Sequence, residues 1–491
     1  MAQSDSRVQP EQIPRSSTRG LLLGLGATPV AALLAGVVLF IVLTLVLGFS
    51  RAIWGFPLWG ALIASGLIPI GDRKLVEWLP IGIGLMSRKL TKQDRYKYRI
   101  LSPRPDGTLA LPGRAAALRL VEEPVSGAAL IHDPNGKTLV AIGRVSHGDF
   151  LLLSDEAKQE KSMLFARMIS TLALSDGIWR IQILTRSIPD SGYSISQYWH
   201  LMKPQSLSAV AGDSYEDLIQ ELGGATERHE TLLAISLDLR KCETTIKAYG
   251  GGVTGAAKVM AERMVTAETA AQSAQVKISE WLTRPELAHL IRTTYDPRAA
   301  VELDQHPFLG QYIPHAGPMA VQENWSTYET DSALHKTMLI SWPGIPAWPG
   351  FLRPLVVHPG IRVAFSLIFE PIPRDKAMVS AKREVINEAI ASAERQRSGQ
   401  ISTILNTQDE QAATQHLADV AAGHTDVWYA GLVTVSAAGK TELTQAVESV
   451  KSSAIEAGCE LRVLYGQQAA LFPASALPLC QGLPKFKGVG L

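Results

Sequence analysis

The sequence predicts α/β (α+β) soluble domains, with two ferredoxin-like halves as their candidate arrangement, carried on an N-terminal two-helix transmembrane hairpin. Two observations predict it. From Thr28 to Ile70 the chain is apolar and broken by a single charge, Arg51. From about Ser102 onward, strand-length apolar runs alternate with helix-length amphipathic ones.

Residues 1–27 are polar at first, with Pro10 and Pro14, and are expected to form a disordered cytoplasmic tail. Segment 28–70 is the hairpin. Its arms, Thr28 to Leu47 and Ala52 to Ile70, each hold about the twenty apolar residues that cross a hydrocarbon core. Helices are required there, because an open strand in lipid leaves its backbone groups unpaired. Trp54 and Trp59 suit an interfacial position near the Gly48-Phe49-Ser50-Arg51 link. Arg7, Arg15 and Arg19 precede the hairpin, and Arg73, Lys74, Arg88, Lys89, Lys92, Arg95, Lys97 and Arg99 follow it. That bias puts both termini on the cytoplasmic side of the cell membrane. A cleaved signal peptide, with Ala61-Leu62-Ile63-Ala64-Ser65 as its small-residue site, is the competing reading; its apolar region would be much shorter than this one.

Segment 71–101 is a basic juxtamembrane stretch expected to rest on anionic lipid of the inner leaflet. Pro80, Gly82 and Gly84 argue against a continuous helix within it.

The first α/β domain is expected over 102–249. Ala128 to His132 and Thr138 to Ser146 form a hairpin around Pro134-Asn135-Gly136-Lys137. Ser154 caps a helix whose apolar positions are Met163, Leu164, Ile169, Leu172 and Leu174, and strand Trp179 to Arg186 follows Gly177. A short helix, Tyr215 to Leu222, and strand Thr231 to Leu239 complete it. Segment 250–324 is helical: after Gly250-Gly251-Gly252, residues Met260, Met264, Ala267, Ala271, Ala274, Ile278 and Trp281 recur in steps of four and three. Three heptads more often pack within their own domain than dimerise.

The second α/β domain is expected over 325–483, with a tail over 484–491. It runs from strand Lys336 to Trp342, through a short helix near Phe351, to strand Ile361 to Phe369. A long helical stretch, Asp375 to Arg397, continues after Ser398-Gly399 to Ala421. Strand Val427 to Val435, helix Glu442 to Ala457 closed by Gly458, strand Cys459 to Tyr465 and an apolar stretch ending at Phe472 before Pro473 complete it.

Composition narrows the function. A chain of 491 residues with its first hundred or so tied to membrane leaves room for about two to three domains. A net charge of +1 gives no global attraction to nucleic acid, so direct nucleic-acid binding is not expected. Cys242, Cys459 and Cys480 are odd in number and unpaired in spacing, which argues against a disulfide framework or a zinc site and fits a reducing cytoplasm.

One segment looks like a nucleotide loop, Thr434-Val435-Ser436-Ala437-Ala438-Gly439-Lys440-Thr441, but Thr434 stands where the first glycine of a P-loop belongs. No aspartate follows Lys440 to hold Mg²⁺, so the segment is a βα turn with Thr441 as the helix cap. Gly250 to Gly255 lacks the lysine and hydroxyl and is a lead-in to a helix. No histidine pair has metal-site spacing, and His358, His416 and His424 are expected on the surface or hydrogen-bonded in the core. Asp409 and Glu410 lie on a polar helix. Arg374, Lys376, Lys382 and Arg383 at a helix start form a candidate phosphate or partner surface. No catalytic, cofactor-binding or metal-binding residue is assigned.

Several short motifs carry a family likeness: Ser341-Trp342-Pro343 with Gly350-Phe351-Leu352-Arg353-Pro354-Leu355; Phe369-Glu370-Pro371-Ile372-Pro373; Ala421-Ala422-Gly423-His424 running to Gly431-Leu432-Val433-Thr434-Val435; Leu464-Tyr465-Gly466-Gln467-Gln468; and Leu477-Pro478-Leu479. With the N-terminal hairpin, the chain resembles a family of actinobacterial membrane proteins encoded with conjugation-type transfer machinery. Their soluble region is similar to the amino-terminal domain of the type IV secretion ATPase. The likeness spans about Leu21 to Leu483 and is strongest from Trp342 onward. It implies structural roles for Trp342 and Phe351 in the core, Pro371 and Pro373 at a strand-to-helix junction and Tyr465 at a strand end. Where that ATPase continues into its motor domain, this sequence has Lys485-Phe486-Lys487 and a short tail.

The resulting expectation is a non-catalytic, membrane-anchored scaffold of a conjugation or type IV secretion-like apparatus. Its partners would be a separate motor ATPase, channel subunits and membrane lipid, with homo-oligomerisation as an option. The alternatives are a membrane-bound enzyme acting on lipid or cell-envelope precursors, and an accessory subunit of another secretion system.

Overall fold

The computed structural model describes residues 27–481 apart from 72, 100, 102–106, 149, 151, 190–192, 205–206, 223–226, 306–315, 343–347, 398–403 and 422–424. At its N-terminal end, α1 (Ala27–Leu47) is an unbroken apolar helix, long and apolar enough over Thr28–Val46 to cross a membrane. The second arm differs from expectation. It divides into α2 (Phe49–Ala52), a 3₁₀ turn over Ile53–Gly55, and α3 (Phe56–Leu67), so no single helix spans 52–70. Pro57 is the cause: it has no N–H for a helix arriving from α2, yet it suits the first turn of a new one. The twelve residues of α3 rise only about 18 Å. α3 folds back along α1, with Gly36 against Ile63 and Trp59, Gly66 against Pro29 and Leu33, and the Phe40 and Trp59 rings 4.9 Å apart. Trp59 is therefore used in the helix contact, whereas Trp54 is exposed.

After a two-residue strand pair, β1 (Pro69–Ile70) with β2 (Arg73–Lys74), comes α4 (Leu75–Leu90), continuous through Pro80, Gly82 and Gly84. This corrects the sequence expectation. Glu77 accepts a hydrogen bond from the Lys74 N–H at 3.2 Å, fixing the first turn, and contacts with the body described below hold the rest.

In the first half, β3 (Arg95–Lys97), β4 (Arg119–Glu122), β5 (Ala129–Asp133) and β6 (Thr138–His147) precede α5 (Asp155–Leu174) and β7 (Ile178–Pro189). The β5–β6 hairpin turns at 134–137 as expected, with Asp133 Oδ1 accepting from the N–H groups of Asn135 and Gly136, both at 2.9 Å. Ser154 caps α5 and accepts from Ala157 N, but only Met168, Ile169 and Leu172 are buried, while Met163 and Leu174 are exposed. Two helices then intervene, α6 (Tyr193–Met202) and α7 (Ala209–Leu222), where the sequence pattern suggests only the end of α7. β8 (Glu227–Asp238), α8 (Glu243–Ala248), α9 (Gly252–Ser273) and β9 (Val276–Trp281) follow. The heptad seam of α9 is buried from Met260 to Ala274 and packs on the sheet beside α5, within the chain. It stops there because Gln275 takes a positive φ of 57, so Ile278 and Trp281 lie on β9 rather than on the helix. α10 (Arg284–Tyr295), capped reciprocally by Thr283 and Glu286, and α11 (Ala299–Gln305) complete the connection.

The second half contains β10 (Ala320–Glu323), β11 (Tyr328–Glu329), β12 (Leu334–Ser341), α12 (Arg353–Val356) and β13 (Arg362–Pro371). Then come α13 (Arg374–Arg397), α14 (Ile404–Ala421), β14 (Val427–Ala437), α15 (Lys440–Glu456), β15 (Glu460–Val463) and α16 (Gln468–Ala476).

All strands from β3 onward join one 13-stranded antiparallel sheet in the order β3-β10-β11-β12-β14-β13-β7-β8-β6-β5-β4, with β15 also on β12 and β9 also on β6. The two halves meet where β7 pairs with β13, from Ile181↔Phe369 to Arg186↔Ala364. Positions 249 and 325 therefore do not interrupt the sheet, and segment 250–324 supplies β9 and β10 as well as helices. One face, bearing Ile181 and Phe365, is covered by α5, α9 and α15. The other, bearing Leu184 and Ile368, is covered by α10 and α16.

α16 runs through Pro473 instead of stopping before it, because Gln468 and every residue from Leu471 to Ala476 are buried against the sheet. Its first residue fills a gap. β12 pairs with β11 up to His335 and with β15 from Met338, which leaves Thr337 between them. Gln468 Oε1 accepts from Thr337 N at 2.8 Å, and its Nε2 donates to Thr337 O at 3.1 Å, so one side-chain amide replaces a strand neighbour. At the other end, Gln182 of β7 donates to the carbonyls of Ala474 and Leu477, both at 3.0 Å, and accepts from Cys480 N at 2.8 Å.

Gln468→Leu keeps the volume but leaves Thr337 N–H and C=O buried and unpaired, so stability should fall by at least about 2 kcal/mol in denaturant unfolding of the detergent-solubilised chain. A loss below about 0.5 kcal/mol, the range of an ordinary surface substitution, would contradict this role.

Candidate anchoring and docking sites

α4 joins the N-terminal helices to the sheet. Arg88 Nε donates to Glu323 Oε2 at 3.0 Å and its Nη2 to Gly466 O at 2.6 Å, while Glu323 Oε1 accepts from Ala469 N, in the first turn of α16, at 3.1 Å. Glu323 is buried, which pushes its carboxyl pKa up, although the Ala469 N–H and Arg88 oppose this. Trp78 sits 5.8 Å from Trp325 and 5.7 Å from Tyr465, whose rings stack on each other at 6.0 Å. Gly466 has φ 66, and a Cβ there would press on Ile81 and Trp325. Trp78, Ile81 and Arg88 thus face the body, leaving Leu79, Ile83, Met86 and Leu90 exposed.

A charged network lies near the seam. Arg186 of β7 is buried and contacts Glu230 of β8 at 2.8 Å, and it donates to Leu290 O, Thr293 Oγ1 and Thr294 Oγ1 of α10. Arg144 reaches Glu230 at 3.0 Å and also pairs with Glu280. Burial pushes the Glu230 carboxyl up, but the Arg186 and Arg144 guanidiniums outweigh it and hold the pKa below its ordinary value. Nearby, His335 of β12 is fully buried between Thr330 Oγ1 at 2.8 Å and Ser436 Oγ at 2.7 Å, and burial lowers its pKa to about 3.

On the far side of the second half, α13 and α14 form a helical hairpin closed by Ala377, Ala381 and Val420. His416 of α14 binds Asp426 at 3.5 Å and Glu384 of α13 at 3.2 Å, and these carboxylates raise its pKa to about 10. Arg374, Lys376, Lys382 and Arg383, the basic group singled out in the sequence, are all exposed on α13, as are Val379, Ile386 and Ile390.

The remaining sequence candidates are placed as follows. Thr434 is buried within β14 and bonded to Thr337 and to Ser475, so it belongs to the core rather than to a loop. Thr441 does not cap α15: the N-cap is Gly439, with no side-chain bond, and Thr441 lies inside the helix. Gly439 leaves room at the turn without a capping side chain, and Glu442 instead accepts from Ala438 N. Gly250, Gly251 and Gly252 all take positive φ and reverse the chain into α9. His358 is buried, and burial lowers its pKa. His424 lies outside the described residues, and Asp409 and Glu410 fall within α14. Trp342 and Phe351 pack against the core under α15, Pro371 ends β13, Pro373 precedes α13, and Tyr465 follows β15. Cys242, Cys459 and Cys480 are free and buried. Among the described residues, no group of three or more His, Cys, Asp or Glu is placed to hold a metal.

Sequence reasoning passed over Arg180, Gln182 and Arg186, which share one face of β7 by their even spacing. Polar residues at that period in an otherwise apolar strand are the available signal for a buried network.

No family model matches the chain, and no curated protein matches it.

Two outcomes follow. In Arg88→Ala, Glu323 loses its cation while remaining buried, so stability should fall by about 1–3 kcal/mol, with proteolysis between α4 and β3 accelerated; unchanged unfolding and cleavage would contradict the anchor. His335 has a folded pKa of about 3 against an ordinary 6.5, so the unfolded chain takes up the proton first. Its contribution is fully present above pH 6.5 and is lost as pH falls from there toward about 3. His335→Gln should flatten the dependence of stability on pH in that window by about one proton; an unchanged slope would contradict it.

Proposed function

We propose that the chain is a membrane-anchored, non-catalytic scaffold of a conjugation or type IV secretion-like transfer apparatus, and that it docks a separate motor ATPase at the cytoplasmic face. The observation that carries this reading is the α13–α14 hairpin, which stands out from the β13–β14 connection with exposed Arg374, Lys376, Lys382 and Arg383 beside exposed Val379, Ile386 and Ile390. A basic rim with apolar anchors suits an acidic protein partner. The family likeness of the second half supports the identity of that partner.

In this reading α1 and the α2–α3 arm form a two-helix membrane hairpin with both termini cytoplasmic. The return of α3 along α1 supports a retained anchor over a cleaved signal peptide. The soluble region is read as two ferredoxin-like halves. What supports this is the order β9-β6-β8-β7 around α5 and α9, and the order β15-β12-β14-β13 around α12 and α15. Each half then carries a helical hairpin between its second and third strands, α6–α7 in one and α13–α14 in the other.

The test is a detergent pull-down from native cells with wild type and a variant in which Arg374, Lys376, Lys382 and Arg383 are changed to Glu. The ATPase and channel subunits should be recovered with wild type, and the ATPase lost with the variant. Equal recovery of the ATPase, or recovery of no transfer subunit with either chain, would overturn the reading.

A further inference from the structure

A cleft opens beside the β7–β13 seam at the end where β7 finishes and β13 begins, lined by Arg186, Ser187, Thr294, Arg362, Ser436 and Phe472. Arg186 is already committed to Glu230 and to α10. Arg362 is different. Its side chain is half-buried in the cleft wall and has no hydrogen bond or ion pair among the described residues. A guanidinium carries five donors and retains its charge, and those of Arg362 have no protein acceptor among the described residues and are left open to the cleft.

The surroundings favour an anion. Arg298 and Arg228 are exposed nearby, and their fields fall on Arg362 and Arg186 respectively. Burial lowers the Arg362 pKa and outweighs the opposing fields of Glu227 and Glu442, with Arg298 adding a smaller push in the same direction as burial. The carboxylates within electrostatic reach of Arg362 are Glu227 and Glu442. Glu442 accepts from Ala438 N, and Glu227, whose buried Oε2 has no hydrogen-bond partner, has its pKa raised by burial.

The geometry points to an oxyanion site of the phosphate class in this cleft, with Arg362 as its principal ligand and Arg298 and Arg228 at its rim. The guanidinium fork of Arg362 can bind two oxygens of a tetrahedral anion, while the charges of Arg298 and Arg228 add to the positive field around the cleft. The ligand is a phosphoryl group, supplied either by a soluble phosphate compound or by a phospholipid headgroup. The site does not depend on the scaffold reading.

Inorganic phosphate titrated into the full chain in detergent, at constant ionic strength made up with chloride, is the probe. Wild type should show saturable binding by calorimetry together with a raised unfolding temperature. Arg362→Gln should weaken binding at least tenfold while unfolding normally without phosphate, and exposed Arg298→Gln should weaken it severalfold. Glu227→Gln, which removes a competing carboxylate, should tighten it. In lipid nanodiscs, phosphatidic acid that competes with phosphate assigns the site to a headgroup, and phosphatidic acid that does not compete assigns it to a soluble phosphate; both uphold the site. Absence of saturable binding to wild type, or equal binding by Arg362→Gln, overturns it.

Discussion

The structure depends on how α16 is laid across the sheet. Nine residues carry two buried glutamine clamps at their borders: Gln468 completes the broken edge of β12, and Gln182 of β7 grips the chain from Ala474 to Cys480. Between them Thr434 of β14 bonds Ser475, and Leu471, Phe472 and Ala474 fill the apolar face. Side-chain amides this deep are stable only when their donors and acceptors are matched, so the helix has one acceptable register. The β7–β13 seam and the β12 edge are thereby fixed by the same short segment.

The same helix also meets the N-terminal helices through α4. Its Ala469 N–H shares the Glu323 carboxylate with Arg88, so the anchor helix α4 ends on the element that crosses the sheet. A displacement of α4 would have to break a half-buried ion pair, the Arg88 bond to Gly466 and the Trp78–Trp325–Tyr465 cluster together. In the proposed scaffold role, the position of the N-terminal helices would pass into the sheet through these contacts, and the α13–α14 hairpin is carried on that same sheet.

Much of the fold was legible. Strand periodicity, the turn at 134–137, the Ser154 cap and the Gly458 stop located most elements to within a few residues, because each signal is local. The failures share a cause. Pro80 and Pro473 look like helix breaks, yet both lie inside helices held by partners far along the chain; Arg88 and Glu323 are 235 positions apart. The pairing of β7 with β13 and the burial of Arg186 likewise depend on distant strands. The basic start of α13 was visible as a charge cluster, whereas unpaired Arg362 gains its meaning only when β13 is set beside β7 and α10.

Native-state hydrogen exchange on the full chain in nanodiscs, with low denaturant, tests the central claim most directly. If α16 fastens anchor and sheet into one body, amides of α4, α16 and the β7–β13 seam will exchange through a single cooperative opening with a shared denaturant dependence. Exchange of α4 through a separate, low-energy opening while the seam stays protected would contradict the account.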